Sequence, residues 1–398
     1  MDLCGLAAGA KRKGLTILGT GDFTHPKWFA ELKENLVFED GIYEYGGIKW
    51  IPQSEISLVY TKGGKGRRIH HLMLAPDLEV VEQINSWLLT KGRVDYDGRP
   101  IFGMSSEMLV ENLMSISRDI MVIPAHAYTP WFAIFGSKSG FDSIKECFDD
   151  QAKHIHAIET GISSDPAMNW RVSSLDKITL VSNSDPHSPH SWRLGREANA
   201  LNLKKIDYKH ITDAIKTRKG FEFTIETPPE YGKYHIDGHR LCNVVFMPDE
   251  SKKYKGICPR CNKDLTIGVL ARVEELADRE EGFRPKGAID FKSLIPLAEL
   301  ISCIVRSGVA TKKVAQEYEN LLRRFGNEFN ILMNVDESEL KKACNEKLAD
   351  LIIKNRQGKL KIEPGYDGVY GKIILESETP VRKIRKTHSK TGLADFVK

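Results

Sequence analysis

The sequence predicts an α/β fold: a parallel sheet or barrel, then a small Cys/His segment and a helical C-terminal part. Three observations carry this expectation. From residue 1 to about 225, strand-like apolar runs alternate with helix-like ones, the pattern of βαβ units. His239, Cys242, Cys258 and Cys261 then form two pairs, each with two intervening residues. Beyond them, apolar residues recur with the 3.6-residue helical period in several segments.

The elements follow in order. MDLCGLAAGAKRKGL places Leu3, Leu6, Ala7 and Ala10 on one helix face and lacks the apolar centre of a secretory signal. LTILGT reads as a strand and WFAELKENL as a helix. A helical SSEMLVENLMSIS precedes the strand-like MVIPAHA, and SGFDSIKECFDDQ precedes HIHAIET. ITLVSNSD is strand-like, and ITDAIKTRKG is helical. TPPEYGKYHIDG, with paired prolines and glycines, breaks the alternation and marks a boundary. GVLARVEELAD, SLIPLAELISCIV, KKVAQEYENLLRRFG and ESELKKACNEKLADLIIKNRQG read as helices, and KLKIEPGYDGVYGKIIL as a glycine-turned strand pair. The expected divisions are therefore 1–225, 226–270, 271–377 and a flexible basic tail, 378–398.

With 398 residues, two or three domains are expected. Hydrophobic content of 41% and charged content of 28% suit a soluble globular protein. No apolar run approaches the roughly 18 residues that span a bilayer, so a cytoplasmic protein without membrane contact is expected. Net charge is only +4. The basic residues gather at Lys62–Arg68, Lys204–Lys219 and Arg382–Lys390, runs suited to phosphate contact, although such runs are more often solvated faces. There is no G-x-x-x-x-G-K-[ST] loop, which excludes an ATP-driven motor of that type.

Six polar clusters stand at the ends of apolar stretches: Asp22/His25, Glu55, His70/His71, His126, Glu159 and Asp185/His187. Strand ends in α/β folds converge on one rim, where such folds place their chemistry. Imidazoles and carboxylates gathered there are the donors that zinc, manganese or iron takes. Glu55 and Asp185 are carboxylates able to bridge cations, and His71, His126 and His187 offer neutral nitrogens. Two or three closely spaced cations activate a water and neutralise charge on a phosphate in flight. His70 and His71 point to opposite faces of a strand, so at most one serves the site. His71 is the expected one, with His70 at the surface or behind it.

The seven cysteines are odd in number and three are clustered, which favours a metal site over a disulfide framework. His239, Cys242, Cys258 and Cys261 have the spacing of two knuckles around one structural zinc, with His235 as the alternative to His239.

GLTILGTGDFTHP, an ExS strand, HHLML, IPAHA and SDPHSP resemble successive motifs of the PHP (polymerase and histidinol phosphatase) superfamily. Within it, GTGDFTHPKW, HAYTPWFAIFGSKSGF, ETGISSDPAMNWR, SNSDPHSPHSWRLGREAN and CPRCNKDLTIGVLARVEELADR are similar to endonuclease Q over nearly the whole chain. The resemblance implies a distorted (β/α)7 barrel holding two or three divalent cations (Zn, Mn, Mg or Fe). It implies a nuclease that cuts 5′ to deaminated bases and abasic sites, leaving 3′-hydroxyl and 5′-phosphate ends. Glu55, His71, His126, Asp185 and His187 match its metal-ligand motif positions, with Asp22 or His25 as a further one. Asp185, Glu55 and His187 are the expected catalytic residues. The family's opening His-x-His strand has no counterpart before Asp22, and His154-Ile-His156 lies far downstream. Either the start is misassigned, the reading preferred, or the chain is truncated and impaired.

Tyr128, Trp131, Phe132, Phe135 and Trp170 lie beside these motifs and suit stacking on bases, although packing of the barrel rim is an equal alternative for each. Lys138, Arg171, Arg193 and Arg196 suit backbone phosphates. The tail Lys390–Val397 has the spacing of a sliding-clamp (PCNA) box, with Leu393 and Phe396 as its anchors. The expected function is thus lesion-directed DNA cleavage. The alternatives are a PHP phosphatase acting on a small phosphomonoester, or a non-catalytic DNA- or clamp-binding protein.

Overall fold

Residues 2–96 and 98–375 are described by a computed structural model of the chain. The N-terminal helix Leu3–Lys13 is capped by Asp2, whose carboxylate accepts the Gly5 N–H at 2.7 Å, and ends at Gly14 in the left-handed conformation. Leu3, Leu6, Ala7 and Ala10 form its buried face, as their spacing requires. The strand Ile17–Gly19 follows and pairs in parallel with Ile48–Ile51, which continues antiparallel to Ile42–Tyr45 and Val37–Glu39.

The longest strands are a hairpin, Gln53–Lys62 with Lys65–Leu74. Gly63 and Gly64 turn it with φ of 62° and 72°, the two left-handed positions that a two-residue turn of this hand demands. The first basic run is therefore a hairpin tip, and part of its charge is committed within the fold. Lys62 pairs with Asp149 at 2.6 Å, and Arg67 packs over the Phe141 ring and bonds the Gly140 carbonyl. In the second basic run, Arg218 donates to the carbonyls of Asp176 and Ile178 at 2.7 Å each.

The expectation of a parallel sheet or barrel holds only in part. Parallel pairs do occur: Ile17–Gly19 with Ile48–Ile51, Ile101–Phe102 beside Gln53–Lys62, Ala157–Glu159 with Thr179–Val181, and Phe221–Glu226 with Asp290–Ser293. They alternate with antiparallel pairs, and the ladders of the described residues fall into six sheets that do not close on themselves. The reason is local. Parallel neighbours need a crossover of about a dozen residues or more, and the strands between residues 37 and 74 follow one another through short turns.

The C-terminal helices are Leu297–Val305, Lys312–Phe325, Glu328–Met333, Glu337–Ala343 and Glu346–Arg356. The last two were one helix by periodicity. They separate where Asn345 starts a new one, its side chain accepting the Lys347 N–H at 2.9 Å. These helices share a core with Ala198 and Ile225. A fully buried ion pair, Lys13 with Glu328 at 2.8 Å, joins them to the N-terminal helix, and Glu328 also accepts from Leu297 N and Tyr318 Oη. Among the described residues no helix is long and apolar enough to cross a membrane. The clamp-box residues Leu393 and Phe396 lie outside the described residues.

Candidate metal centres

The hairpin register decides which side chains face the rim. Glu55 lies opposite Leu72, and Ser57 opposite His70, so Glu55, Ser57, His70 and Leu72 share one face. Ile56 and His71 share the other. The expectation for His71 is thus reversed. His71 is fully buried, bonded to Ser106 Oγ at 2.8 Å and packed on Phe148, and burial pushes its pKa down to about 3.

His70 instead meets Glu55, its Nδ1 lying 2.9 Å from Oε1. His126 comes to the same oxygen from the end of the strand Met121–Pro124, its Nε2 at 3.4 Å. One donor atom from each of Glu55, His70 and His126 lies within 4.8 Å of the others. Thr129 anchors the His126 ring. The threonine hydroxyl donates to the Trp131 carbonyl at 2.9 Å and its oxygen lies 2.9 Å from His126 Nδ1, which turns Nε2 toward Glu55. Burial pushes Glu55 toward protonation, but hydrogen bonds from His126 and His70 and the charge of Arg99 hold it well below the usual carboxylate range. Burial lowers His70 from its ordinary value, whereas contact with Glu55 outweighs burial at His126 and raises it. A buried anion with convergent imidazole nitrogens is a donor set that fits a divalent cation.

Glu159 stands behind this cluster. It accepts the His126 backbone N–H at 3.2 Å and Asn183 Nδ2 at 3.1 Å, and burial pushes it up to about 7. Gly161, at φ 62°, lies so close that a Cβ there would sit 2.7 Å from His126 Cβ, so only glycine permits the approach.

Asp22, His25, Glu55, Glu159, Asp185 and His187 line one cavity of about 520 Å³. Asp22, His126 and Asp185 hold left-handed backbone at φ 41°, 30° and 40°, an unusual conformation that clusters at functional sites. Asp185 meets the cluster through Arg99, whose Nη2 lies 2.5 Å from Oδ2 while its Nε lies 2.6 Å from Glu55 Oε1. His187 is exposed at the rim, 3.9 Å from Asp185. Sequence reasoning missed Arg99 and the supporting pair Thr129 and Asn183. Arg99 stands just before the strand that pairs beside Glu55, a placement visible only once the pairing is known.

Two residues expected to stack on bases are committed elsewhere. Tyr128 and Phe135 are buried against each other in the core. Trp131 meets Tyr234 edge-on, and Trp170 meets Phe291 and Arg284 at the surface; both stay partly exposed. Phe132 covers His70, ring centroids 4.7 Å apart. Arg193 lies near Tyr370, Arg196 near Glu197 and Glu299, and Arg171 reaches the Arg279 carbonyl at 3.5 Å.

The second cluster is the expected one. His239, Cys242, Cys258 and Cys261 bring four donor atoms within 4.8 Å of one another, and His235 is not among them. The strands Asp237–His239 and Val244–Phe246 carry the first pair of ligands around a turn at Asn243, φ 49°. The second pair sits on a turn closed by Asn262 N to Cys258 O at 2.9 Å. Two soft and compact knuckles fit a tetrahedral zinc.

Residues 296–359 match the family model of the MJ0043 C-terminal domain. The chain is 38% identical over 258 residues to protein MJ0043 of Methanocaldococcus jannaschii, a match covering 64% of this chain and 32% of the relative. It thus spans about a third of that relative's length. Two solved structures match almost throughout. The lesion-specific endonuclease PfuEndoQ of Pyrococcus furiosus superposes with TM-score 0.83 and 31% identity, covering 94% of this chain and 90% of its own. Endonuclease Q in complex with a 27-mer duplex, an abasic lesion at its active site, gives 0.85 and 31%, covering 95% and 92%. With 31% identity over nine-tenths or more of both chains, the chain belongs to the endonuclease Q family.

Proposed function

We propose that this protein is a metal-dependent DNA endonuclease that initiates repair. It would hydrolyse the phosphodiester 5′ to deaminated bases (uracil, hypoxanthine, xanthine) and to abasic sites, leaving 3′-hydroxyl and 5′-phosphate ends. The observation that carries this reading is the convergence of His70 and His126 on Glu55, which itself lines a cavity together with Asp22, Asp185 and His187.

In this reading Glu55, His70 and His126 hold one divalent cation, and Asp185 with Asp22 or His25 a second. Such cations lower the pKa of a water and neutralise charge on a phosphoryl oxygen. Glu55, kept anionic by its neighbours, supplies the negative charge, and Thr129 and Glu159 hold His126 in place. His187, beside Asp185 at the rim, adds a nitrogen donor to that second set. Trp131 and Trp170, with Arg171, Arg193 and Arg196, are the proposed DNA contacts, and Leu393 with Phe396 the proposed clamp anchors. The strand ends are read as those of a PHP-type (β/α)7 barrel. His239, Cys242, Cys258 and Cys261 are assigned a structural zinc, which contributes folding free energy and no chemistry.

The test uses labelled duplexes with one uracil, hypoxanthine or abasic site, incubated with Mg²⁺ or Mn²⁺. Nicking immediately 5′ to the lesion, lost in Asp185→Ala, is the expected result. Phosphate release from small esters without nicking would replace this reading with a phosphatase, and lesion binding without cleavage would replace it with a binding protein.

A further inference from the structure

Arg99 stands inside the cavity with no task in the reading above. Its Nε lies 2.6 Å from Glu55 Oε1 and its Nη2 2.5 Å from Asp185 Oδ2. That Glu55 oxygen is the one faced by His70 Nδ1 at 2.9 Å and His126 Nε2 at 3.4 Å. The guanidinium therefore occupies the point where two carboxylates and two imidazoles converge. We propose that Arg99 is a tethered counter-cation of this site: it neutralises Glu55 and Asp185 when no divalent cation is bound, and it competes with cations for those oxygens. The inference rests on the reading of the cavity as a metal centre.

Glu55 is 7% exposed, and a carboxylate so buried requires a compensating charge. An imidazole supplies it only in its protonated form. A guanidinium is charged at every working pH, and its planar fork can reach two carboxylates at once. It cannot share their oxygens with a divalent cation, because like charges a few ångströms apart in a poorly solvated site repel strongly. Entry of a cation thus requires Arg99 to leave. The chain around it permits that motion. On one side Pro100 O accepts Ser57 N at 2.9 Å, and Ile101–Phe102 pairs with Ser57–Leu58, which fixes the root of the side chain. On the other, Gly98 has φ 87° and open space around it. A long side chain on a fixed root swings without unfolding anything.

The experiment titrates Mn²⁺ by calorimetry into the full chain and into Arg99→Gln, each carrying a single equivalent of zinc, so that the Cys/His cluster alone is already filled. Arg99→Gln is expected to bind Mn²⁺ about tenfold tighter, the equivalent of a charge-assisted contact removed from the competing state. The same variant is expected to melt at a lower temperature than the parent when the cavity holds no Mn²⁺. Mn²⁺ affinity that is unchanged or weaker in Arg99→Gln overturns the proposal. Should that variant fail to fold, Arg99→Lys serves, a point charge that reaches one carboxylate, with affinity expected above the parent's. An absence of nicking by the parent would sink the endonuclease reading while leaving the Mn²⁺ comparison to decide the role of Arg99.

Discussion

In the Cys/His knuckle all four donors fall between residues 239 and 261, on two turns. The strand-end cluster draws Glu55 and His70 from a hairpin and His126 from a strand some fifty residues later. The knuckle draws its four donors from one short stretch, whereas the strand-end cluster opens on a large cavity and contains an arginine that belongs to a further loop. A site made of neighbours in sequence can be closed and structural. A site assembled from distant strand ends leaves room for a substrate, and its geometry depends on every register between its parts.

The largest expected effect is in the knuckle. Cys258 is fully buried, so Cys258→Ala removes a ligand that no solvent group can replace. Zinc content should fall from one per chain to none, and residues near 235–270 should become protease-sensitive, since structural zinc in small folds supplies on the order of 10 kcal/mol. Retained zinc with protease resistance would mean that the knuckle folds on its own contacts. In the strand-end cluster, Glu55→Gln keeps the shape and removes the charge. Nicking should drop by about 10²–10³-fold, the scale of losing a principal electrostatic group, while the knuckle's zinc stays in place. Equal nicking by Glu55→Gln and parent would remove Glu55 from the chemistry.

The same contrast explains what the sequence disclosed. The spacing His239-x2-Cys242 and Cys258-x2-Cys261 already brings the donors together, so the knuckle was readable without a fold. The strand ends Glu55, His126 and Asp185 were readable too, because each polar residue interrupts or follows an apolar run. What stayed hidden was pairing. The Gly63-Gly64 turn makes residues 53–74 an antiparallel hairpin, and its register puts His70, not His71, on the face of Glu55. Arg99 was hidden for the same reason, since its loop reaches the site only through a two-residue strand beside Glu55.

Opposite responses to pH would sharpen the comparison further. Thiolate ligands must be deprotonated, so the knuckle weakens as pH falls. Beneath the strand ends, Glu226 does the reverse. It accepts from Thr160 and Ser182 at 2.8 and 2.9 Å, and burial pushes it up to about 7. A carboxyl whose folded pKa exceeds its unfolded value near 4.5 is protonated more readily in the folded chain. Its stabilising share is therefore present at acid pH and lost as pH rises from about 4.5 to 7. Glu226→Gln should abolish that slope and raise stability at pH 8 by about 2–3 kcal/mol. Denaturant midpoints at pH 5 and pH 8 measure it, and an unchanged slope in the variant would place the titration elsewhere.

Two adjacent residues, His70 and His71, test the register itself. His71 touches Ser106 Oγ and Phe148, in the core behind the sheet. His71→Ala should lower stability by about 1–3 kcal/mol, the range for a lost buried hydrogen bond with some lost packing. Its nicking rate and Mn²⁺ affinity should match the parent's well below the melting temperature. His70→Ala should do the opposite: little change in melting temperature, with Mn²⁺ affinity and nicking both lost, because its ring faces Glu55 and His126. The pair is informative because a slip of one residue in the hairpin exchanges the two outcomes completely. If His71→Ala loses Mn²⁺ binding and His70→Ala keeps it, the alternation of the strand Lys65–Leu74 is the reverse of that described, and with it the placement of Glu55 against the cluster.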